Sequence, residues 1–301
     1  MTQRMTRPDL ALATTIILVW SSNFVVTKWG LDRLPPLALC AWRFALSFFP
    51  ACLILPAPRG RWRLMLAFGV LTGLGQFGLL SIAMQRHISP GLASVLVQTQ
   101  AFFNMGLAAL VLGEKPRPGQ FAGALLSGAG LILIAANAES SGTIIGIFLV
   151  LAAALSWALS NVILRACHYD GDFVAFMVWS CQFGAIPLAL LSIAFEGGGP
   201  IQQPLAESTL EIWLIIAWQA FANSIFGYAV WNSLIYRYSL SAISPLTLLV
   251  PVLAMALAVL LVGEQLQAWK LGAAALIVSG VAMPHAVKWL GRLRGAAAAG
   301  P

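Results

Sequence analysis

Apolar residues in this chain form ten runs, each about as long as a helix that crosses a lipid bilayer. A hydrocarbon core of roughly 30 Å needs about 20 helical residues, and proline, glycine or charged residues separate the runs. The apolar positions do not alternate strictly, so the pattern predicts helices rather than the strands of a closed barrel. The predicted spans are 10–28, 36–55, 64–84, 91–112, 119–136, 143–165, 173–195, 209–235, 242–262 and 268–288.

The two halves of the chain resemble each other. A Gly-Glu dipeptide at 113–114 recurs at 263–264, an offset of 150 residues, whereas Trp20 and Trp157 match at an offset of 137. One insertion in the second half, near residues 196–211, accounts for the difference. Internal duplication of this kind is typical of membrane transporters built from two related halves. The predicted domains are the five-helix repeats 1–138 and 139–301.

Composition favours a membrane protein. Apolar residues make up 60% of the chain and charged residues 9%, and the mean hydropathy is +0.87. So few polar residues do not suffice to cover a water-exposed surface, and we expect the lipid bilayer to surround the chain. The first apolar run is too long for the core of a cleavable signal peptide, so we expect it to remain as the first helix.

The net charge of +7 is distributed unevenly. In a soluble protein it would suggest a nucleic-acid partner. If the amino terminus is cytoplasmic, twelve Lys and Arg residues lie on the cytoplasmic side and four on the other, which is a strong positive-inside bias. We therefore expect both termini in the cytoplasm and no nucleic-acid partner. Each repeat holds an odd number of helices, so the predicted fold is an all-α membrane protein of ten transmembrane helices in two inverted repeats.

Several motifs resemble the EamA branch of the drug/metabolite transporter superfamily. The motifs are Trp20-Ser-Ser-Asn23 with Lys28, Trp42-Arg43-Phe44, the stretch 90–103 and both Gly-Glu pairs. The resemblance spans nearly the whole chain and is closest to exporters of cysteine, O-acetylserine and related amino acids. It implies a multi-pass carrier of the cell inner membrane that exports amino acids and related small metabolites by alternating access through a central cavity. The alternative is transport of other metabolites or drugs, such as aromatic or cationic compounds.

A cavity for amino acids needs amides, hydroxyls and aromatic faces in otherwise apolar walls. Gln100 and Asn104 share one face of the fourth span, and Ser224, Tyr228 and Trp231 form a stripe on the eighth. For each Ser or Asn, hydrogen bonding between helices explains the residue equally well. The predicted substrate-binding residues are Asn23, Gln76, Gln98, Gln100, Asn104, Trp157, Asn161, Ser224, Tyr228 and Trp231.

Two ion pairs related by the repeat are predicted to gate the transport path. Lys28–Glu264 would close the outer face and Arg165–Glu114 the inner face, unless each glutamate only caps the start of the next helix. Arg43 is the only charged residue well inside a predicted span. It would either attract a carboxylate or, as we prefer, snorkel outward or bond to helix-end carbonyls. The predicted gating residues are Lys28, Glu114, Arg165, Glu264, Trp20 and Arg43.

Two further patterns concern helix shape and packing. Pro245 and Pro251 are predicted to kink the ninth span, whereas the fourth span lacks proline at that point and is expected to bend less. Gly119, Gly123 and Ser127 form a ridge of small residues on the fifth span, which indicates close packing within the subunit or in a dimer. A homodimer is possible, but a monomer suffices for transport.

Enzyme, metal and cofactor motifs are absent from the sequence. The histidines lie at span ends without metal-ligand spacing, and the four cysteines form neither a disulfide framework nor a metal motif. A channel or a non-transporting scaffold is less compatible with inverted halves. All ten acidic residues fall in termini, loops or span ends. Proton-driven carriers generally keep an ionisable carboxylate or histidine inside the membrane, so we expect a facilitator rather than a proton-coupled pump.

Overall fold

The computed structural model describes residues 5–113, 118–137, 141–169, 171–207, 209–238 and 244–298, and these residues contain helices and no strand. A short helix, Gly198–Glu207, lies between the seventh and eighth long helices. The long helices are α1 (Arg7–Leu31), α2 (Pro36–Phe48), α3 (Trp62–Arg86), α4 (Pro90–Leu112), α5 (Pro118–Ala136), α6 (Ser141–Ala166), α7 (Phe173–Phe195), α8 (Leu210–Ala217, Trp218–Phe226 and Gly227–Tyr238 in succession), α9 (Leu249–Val262) and α10 (Ala268–Ala298).

Length and composition allow eight of the described segments to cross a membrane, namely α1, α2 together with the 3-10 turn that follows it (Pro36–Leu53), and α3 to α8. Two further apolar helices, Leu246–Val262 and Ala268–Met283, are shorter and fall within the ninth and tenth predicted spans. The prediction of an all-helical chain is confirmed for the described residues.

Proline sets the end of α2, which is shorter than its predicted span of 36–55. The helix ends at Phe48. Pro50 has no backbone N–H and disfavours helical geometry at the residue before it, and Phe49 is accordingly extended, with ψ of 130°. A single 3-10 turn, Ala51–Leu53, follows. The apolar run therefore continues past the residue at which the helix must stop.

The third helix of each half contains a π-helical segment. One segment covers Leu71–Gly78 in α3, and the other covers Trp218–Phe226 in α8. Such wide turns are uncommon and occur frequently at functional sites. The first segment lies tightly against α7, because a Cβ atom on Gly73 would be 2.6 Å from the Gly184 Cα atom. We name these stretches the α3 π segment and the α8 π segment.

A 3-10 turn lies within or directly before the fourth helix of each half. Val97–Thr99 interrupts α4, and Ser244–Leu248 precedes α9. Only the second half carries prolines here, so the turn in α4 forms without one. That α9 bends more easily than α4 stays a prediction. In α4 the Thr99 hydroxyl donates to the Leu96 carbonyl at 2.7 Å. Such a side chain competes with the backbone ladder of the helix.

The last helices of the two halves, α5 and α10, pack against each other in antiparallel directions. A Cβ atom on Gly123 would lie 2.3 Å from the Gly280 carbonyl oxygen, so only glycine permits this approach. Four residues on, the Ser127 hydroxyl donates to the Ile277 carbonyl at 3.1 Å. The small-residue ridge of α5 therefore packs within the subunit, which is one of the two alternatives that the sequence left open.

The remaining helices pack in matching pairs. α1 packs on α9 as α6 packs on α4, and α8 packs on α1 as α3 packs on α6. The second helices of the two halves, α2 and α7, pack on each other. α2 also contacts both π segments, so its side chains lie at the junction of the two halves.

Candidate functional site

Arg43 of α2 is buried between the two π segments. The residue is 2% exposed. Its Nη2 atom donates to the Ser224 hydroxyl of the α8 π segment at 3.1 Å. Its guanidinium carbon lies 3.7 Å from the ring centroid of Phe77 in the α3 π segment. A desolvated cation–π contact of this kind contributes about 2 kcal/mol. Arg43 therefore links the two irregular segments through the interior of the bundle.

The burial of Arg43 corrects our preferred interpretation of the sequence. A snorkelling side chain must bring its charged head to water or to lipid head groups, and Arg43 instead ends on a serine hydroxyl and an aromatic ring. Within the described part of the chain, no carboxylate forms an ion pair with it. Removing a cation from water costs several kcal/mol, so the charge is only partly compensated.

Four buried side-chain atoms of the described residues lack a hydrogen-bond partner. Two are donors, Arg43 Nε and Gln219 Nε2, and two are acceptors, Gln76 Oε1 and Asn23 Oδ1. All four residues are more than nine-tenths buried. Leaving such a group unpaired costs about 1–3 kcal/mol, and native proteins contain few of them. The four belong to α1, α2 and the two π segments; α2 contacts both π segments, and α1 contacts the α8 π segment.

An aromatic cluster adjoins this polar set. The Trp20 ring centroid lies 6.1 Å from that of Tyr228 and 5.4 Å from that of Trp231. The Trp20 indole donates to the Asn223 carbonyl at 3.3 Å, and Ser224 of the same stripe accepts the hydrogen bond of Arg43. The structure therefore brings the predicted stripe of α8 together with Trp20 and with the buried cation.

The predicted polar residues of α4 form a second group. Gln98 is buried, and its Nε2 atom donates to the Thr247 carbonyl at 3.5 Å, which connects the 3-10 turns of the two halves. The Asn104 amide donates to the Gln100 side-chain oxygen one turn away. Both are half-buried. These side chains bond within α4 or to the opposite 3-10 turn, not to Arg43.

The predicted residues of α6 lie in a more apolar setting. Trp157 is half-buried and packs against the large hydrophobic core, and the Ser160 hydroxyl donates to its carbonyl at 2.8 Å. Asn161 is half-buried one turn further along. Their assignment to the substrate path stays a prediction.

Trp42 and Trp179, which correspond at the offset of 137 residues, anchor connecting segments. The Trp42 indole donates to the Ile201 carbonyl beyond α7, and the Trp179 indole donates to the Leu55 carbonyl beyond α2, both at 2.9 Å. Each tryptophan therefore fixes the chain that follows the equivalent helix of the other half.

Glu264 joins the two halves at the predicted outer face without Lys28. It accepts a hydrogen bond from the Gly91 N–H at 2.9 Å, in the first turn of α4, where the helix dipole favours a carboxylate. Lys270 Nζ lies 3.2 Å from the same carboxylate. Lys28 pairs with Asp32, one helical turn away. Glu264 therefore caps a helix of the other half in this structure, and each member of the predicted outer pair has another partner.

The predicted inner pair is only partly within the described residues. Arg165 lies in the last turn of α6, whereas Glu114 lies outside the described residues. Their pairing stays a prediction.

Sequence reasoning missed Gln219 and an ion pair at the predicted inner face. Asp9 is 5% exposed, and its Oδ1 atom accepts a hydrogen bond from Arg237 Nη1 at 2.7 Å. The pair joins the first turn of α1 to the last turn of α8, so it connects the two halves. Opposite charges at the inner ends of two spans are consistent with an ion pair. No local sequence pattern, however, links two residues that lie so far apart in the chain. Gln219 escaped notice because the α8 stripe was assigned with ordinary helical periodicity.

Comparison with known proteins identifies the family. A sequence model of the EamA-like transporter family matches the chain twice, over residues 9–136 and 144–284. The chain is 38% identical to a probable amino-acid metabolite efflux pump of Salmonella typhimurium, over 92% of this chain and 94% of the relative. It is 34% identical to a probable amino-acid metabolite efflux pump of Escherichia coli, with the same coverage.

A less similar relative and a solved structure agree with this family assignment. A probable terminal-alkyne amino-acid exporter of Streptantibioticus cattleyicolor is 26% identical over 99% of both chains. The crystal structure of another protein has a similar fold, with a TM-score of 0.63 and 21% sequence identity. The match covers 96% of this chain and 99% of that chain. The long apolar helices and the two family matches together show a multi-pass membrane protein. The chain therefore belongs to the EamA-like transporter family of the drug/metabolite transporter superfamily.

Proposed function

We propose that this protein is a carrier of the cell inner membrane that exports amino acids and related small metabolites by alternating access. The buried polar set around Arg43 carries this proposal. Polar and charged side chains inside a membrane are costly and mark substrate or ion pathways. Two relatives that are probable amino-acid metabolite efflux pumps favour amino acids as the substrate class.

Contacts between α5 and α10 support inverted repeats over residues 1–138 and 139–301. At an offset of 150 residues, Gly123 corresponds to Ala273 and Gly130 to Gly280. Gly123 packs on Gly280, and a Cβ atom on Gly130 would lie 3.0 Å from the Ala273 carbonyl oxygen. The repeat relation therefore exchanges one contact for the other. An antiparallel contact with this property is expected where a pseudo-two-fold axis lies in the membrane plane.

Alternating access needs the two halves to exchange conformations. Inverted repeats permit this, because a shape adopted by one half in the inward-facing state can be adopted by the other half in the outward-facing state. Both halves contain a π segment in the third helix and a 3-10 turn in the fourth. Irregular backbone of this kind is tolerated at membrane depth where it is enclosed by protein or lines a cavity. We assign these segments to the substrate path.

Counterflow into proteoliposomes tests the proposed function. Vesicles that contain the purified protein are loaded with one unlabelled amino acid at a time, and the uptake of a labelled trace of the same amino acid is measured. A carrier gives transient, saturable accumulation for at least one amino acid. Flux that rises without saturation would identify a channel, and uptake equal to that of protein-free vesicles for every amino acid would contradict the proposal.

A further inference from the structure

We propose that the buried polar set around Arg43 recognises the zwitterionic head group of the substrate. The carboxylate binds Arg43 and Gln219, and the ammonium group binds Gln76 and Asn23. This inference rests on the proposed function and names the part of the substrate that the site reads. Its basis is the set of four unpaired, buried polar atoms on the helices around Arg43.

The two unpaired donors fit a carboxylate. Arg43 uses Nη2 for Ser224 and leaves Nε unpaired. The Ser224 hydroxyl in turn donates to the backbone carbonyl of Gln219 at 3.0 Å, so the Gln219 main chain and the Arg43 side chain contact the same hydroxyl. The Gln219 Nε2 atom is the second unpaired donor. A carboxylate accepts hydrogen bonds on both oxygens, and bonds between ionised partners are the strong ones.

The two unpaired acceptors fit an ammonium group. Gln76 adjoins Phe77, whose ring lies on the Arg43 guanidinium. Asn23 lies one turn beyond Trp20, which bonds to the α8 π segment. An ammonium group carries three donors and no acceptor. Neutral amide oxygens can accept from it without placing a second anion beside Arg43, where such an anion would compete with the substrate carboxylate.

The balance of two donors and two acceptors distinguishes a zwitterion from other ligands. A simple anion would leave both amide oxygens unpaired, and a simple amine would be repelled by the buried guanidinium. A neutral molecule would leave the charge of Arg43 only partly compensated. The head group is common to all amino acids, so a site that reads it accepts several of them and leaves the choice of side chain to other walls of the path.

The test compares one amino acid with two derivatives that each lack one charge. The probes are the amino acid that gives the strongest counterflow, its carboxamide and its N-acetyl derivative. Each derivative is added as a competitor in the counterflow assay. With the wild-type protein, we expect both derivatives to need at least about tenfold more concentration than the amino acid for equal inhibition.

Two variants separate the two ends of the head group. In Arg43→Gln the carboxamide is expected to compete as well as the amino acid, while the N-acetyl derivative still competes poorly. In Gln76→Met the preference over the N-acetyl derivative falls, and the preference over the carboxamide remains. Ser47→Ala is the matched control on α2, one turn from Arg43. Its hydroxyl donates to the backbone carbonyl of Arg43 at 2.9 Å, so the variant leaves the guanidinium in place and keeps both preferences. Arg43→Gln protein with an unchanged preference over the carboxamide would overturn the carboxylate assignment.

A binding measurement covers variants that do not transport. The thermal unfolding midpoint of the purified wild-type protein is measured with each probe, because a ligand that binds only the folded state raises it. We expect the amino acid to raise the midpoint and both derivatives to leave it unchanged at the same concentration. Equal increases with all three would overturn the head-group assignment even if counterflow of amino acids is found. Counterflow of no amino acid would instead refute the proposed function itself.

Discussion

The Ser127 hydroxyl donates to the carbonyl of Ile277, the residue that corresponds to it in the second half, at 3.1 Å. Two equivalent positions can touch only near an axis that exchanges the halves. The contact therefore lies where a pseudo-two-fold axis would cross the α5–α10 interface. This interface holds the halves together through backbone contacts between small residues.

The α5–α10 contact predicts a large effect from one methyl group. In Gly123→Ala the added Cβ atom would lie 2.3 Å from the Gly280 carbonyl oxygen, so the helices must separate. Overpacking of this kind costs about 1–3 kcal/mol, and we expect a lower thermal unfolding midpoint in detergent. Gly128→Ala is the control on the same helix, because its Cβ atom would meet nothing within 4 Å. Equal midpoints for the two variants would contradict the packing.

Glu264 is predicted to hold the outer face closed. Glu264→Ala removes the cap on α4 and the pair with Lys270. A lost cap costs about 1 kcal/mol, and a change of that size raises an open population about fivefold. In a cysteine-free background, a cysteine that replaces the buried Ser94 should then react faster with a membrane-impermeant thiol reagent added outside.

The control for the outer closure is Glu211→Ala. Glu211 pairs with Arg33, and both side chains are more than half exposed, so the pair contributes about 0–1 kcal/mol. We expect little change in the labelling of the cysteine at position 94. If Glu264→Ala labels no faster than Glu211→Ala, Glu264 is not a gate.

The substrate path is predicted to include the α4 amides and the α8 aromatic stripe. Asn104→Ala and Tyr228→Ala should raise the half-saturating concentration for amino acids by about tenfold, the effect expected for the loss of about 1.4 kcal/mol of binding, while the protein still inserts. Cysteines at the same positions should react with hydrophilic thiol reagents. Absence of any reaction at both positions would remove them from the path.

Transport is predicted to need no proton. The Arg43 guanidinium stays protonated in proteins. Asp9 and Glu264 are largely enclosed, but they lie at helix ends and already pair with Arg237 and Lys270. With equal amino acid on both sides of the vesicle membrane, an imposed pH gradient should therefore cause no accumulation. Accumulation that is lost in Asp9→Asn or Glu264→Gln would show proton coupling and contradict the facilitator.

The long apolar runs of the sequence predicted the helices, and the proline, glycine and charged residues between the runs predicted some of the helix ends. Apolar runs of membrane length are a strong pattern because lipid leaves few alternatives to the helix. The end of α2 at Phe48 shows the limit, because the effect of Pro50 is local and outweighs the apolar run that continues to residue 55.

The sequence predicts residue types for the candidate site but not its geometry, and the assignment of these residues to the substrate stays a prediction. Asn23, Gln76 and Ser224 are polar residues within apolar spans, and all three are buried, with Ser224 bonded to Arg43. The π segments shift the register by which side chains share a face, so Gln219 was missed. The partners of Arg43 could not be predicted, because Phe77 and Ser224 come from different halves and meet only in the folded chain.

The most direct test of an amino-acid carrier is the rate at which labelled substrate leaves loaded proteoliposomes, with and without the same unlabelled amino acid outside. After each efflux step the binding site of a carrier must turn back to the inside of the vesicle, and it does so faster with bound external substrate than when empty. External substrate should therefore change the efflux rate, and the change should saturate. An efflux rate that does not depend on external substrate, or that matches protein-free vesicles, would contradict alternating-access export of amino acids.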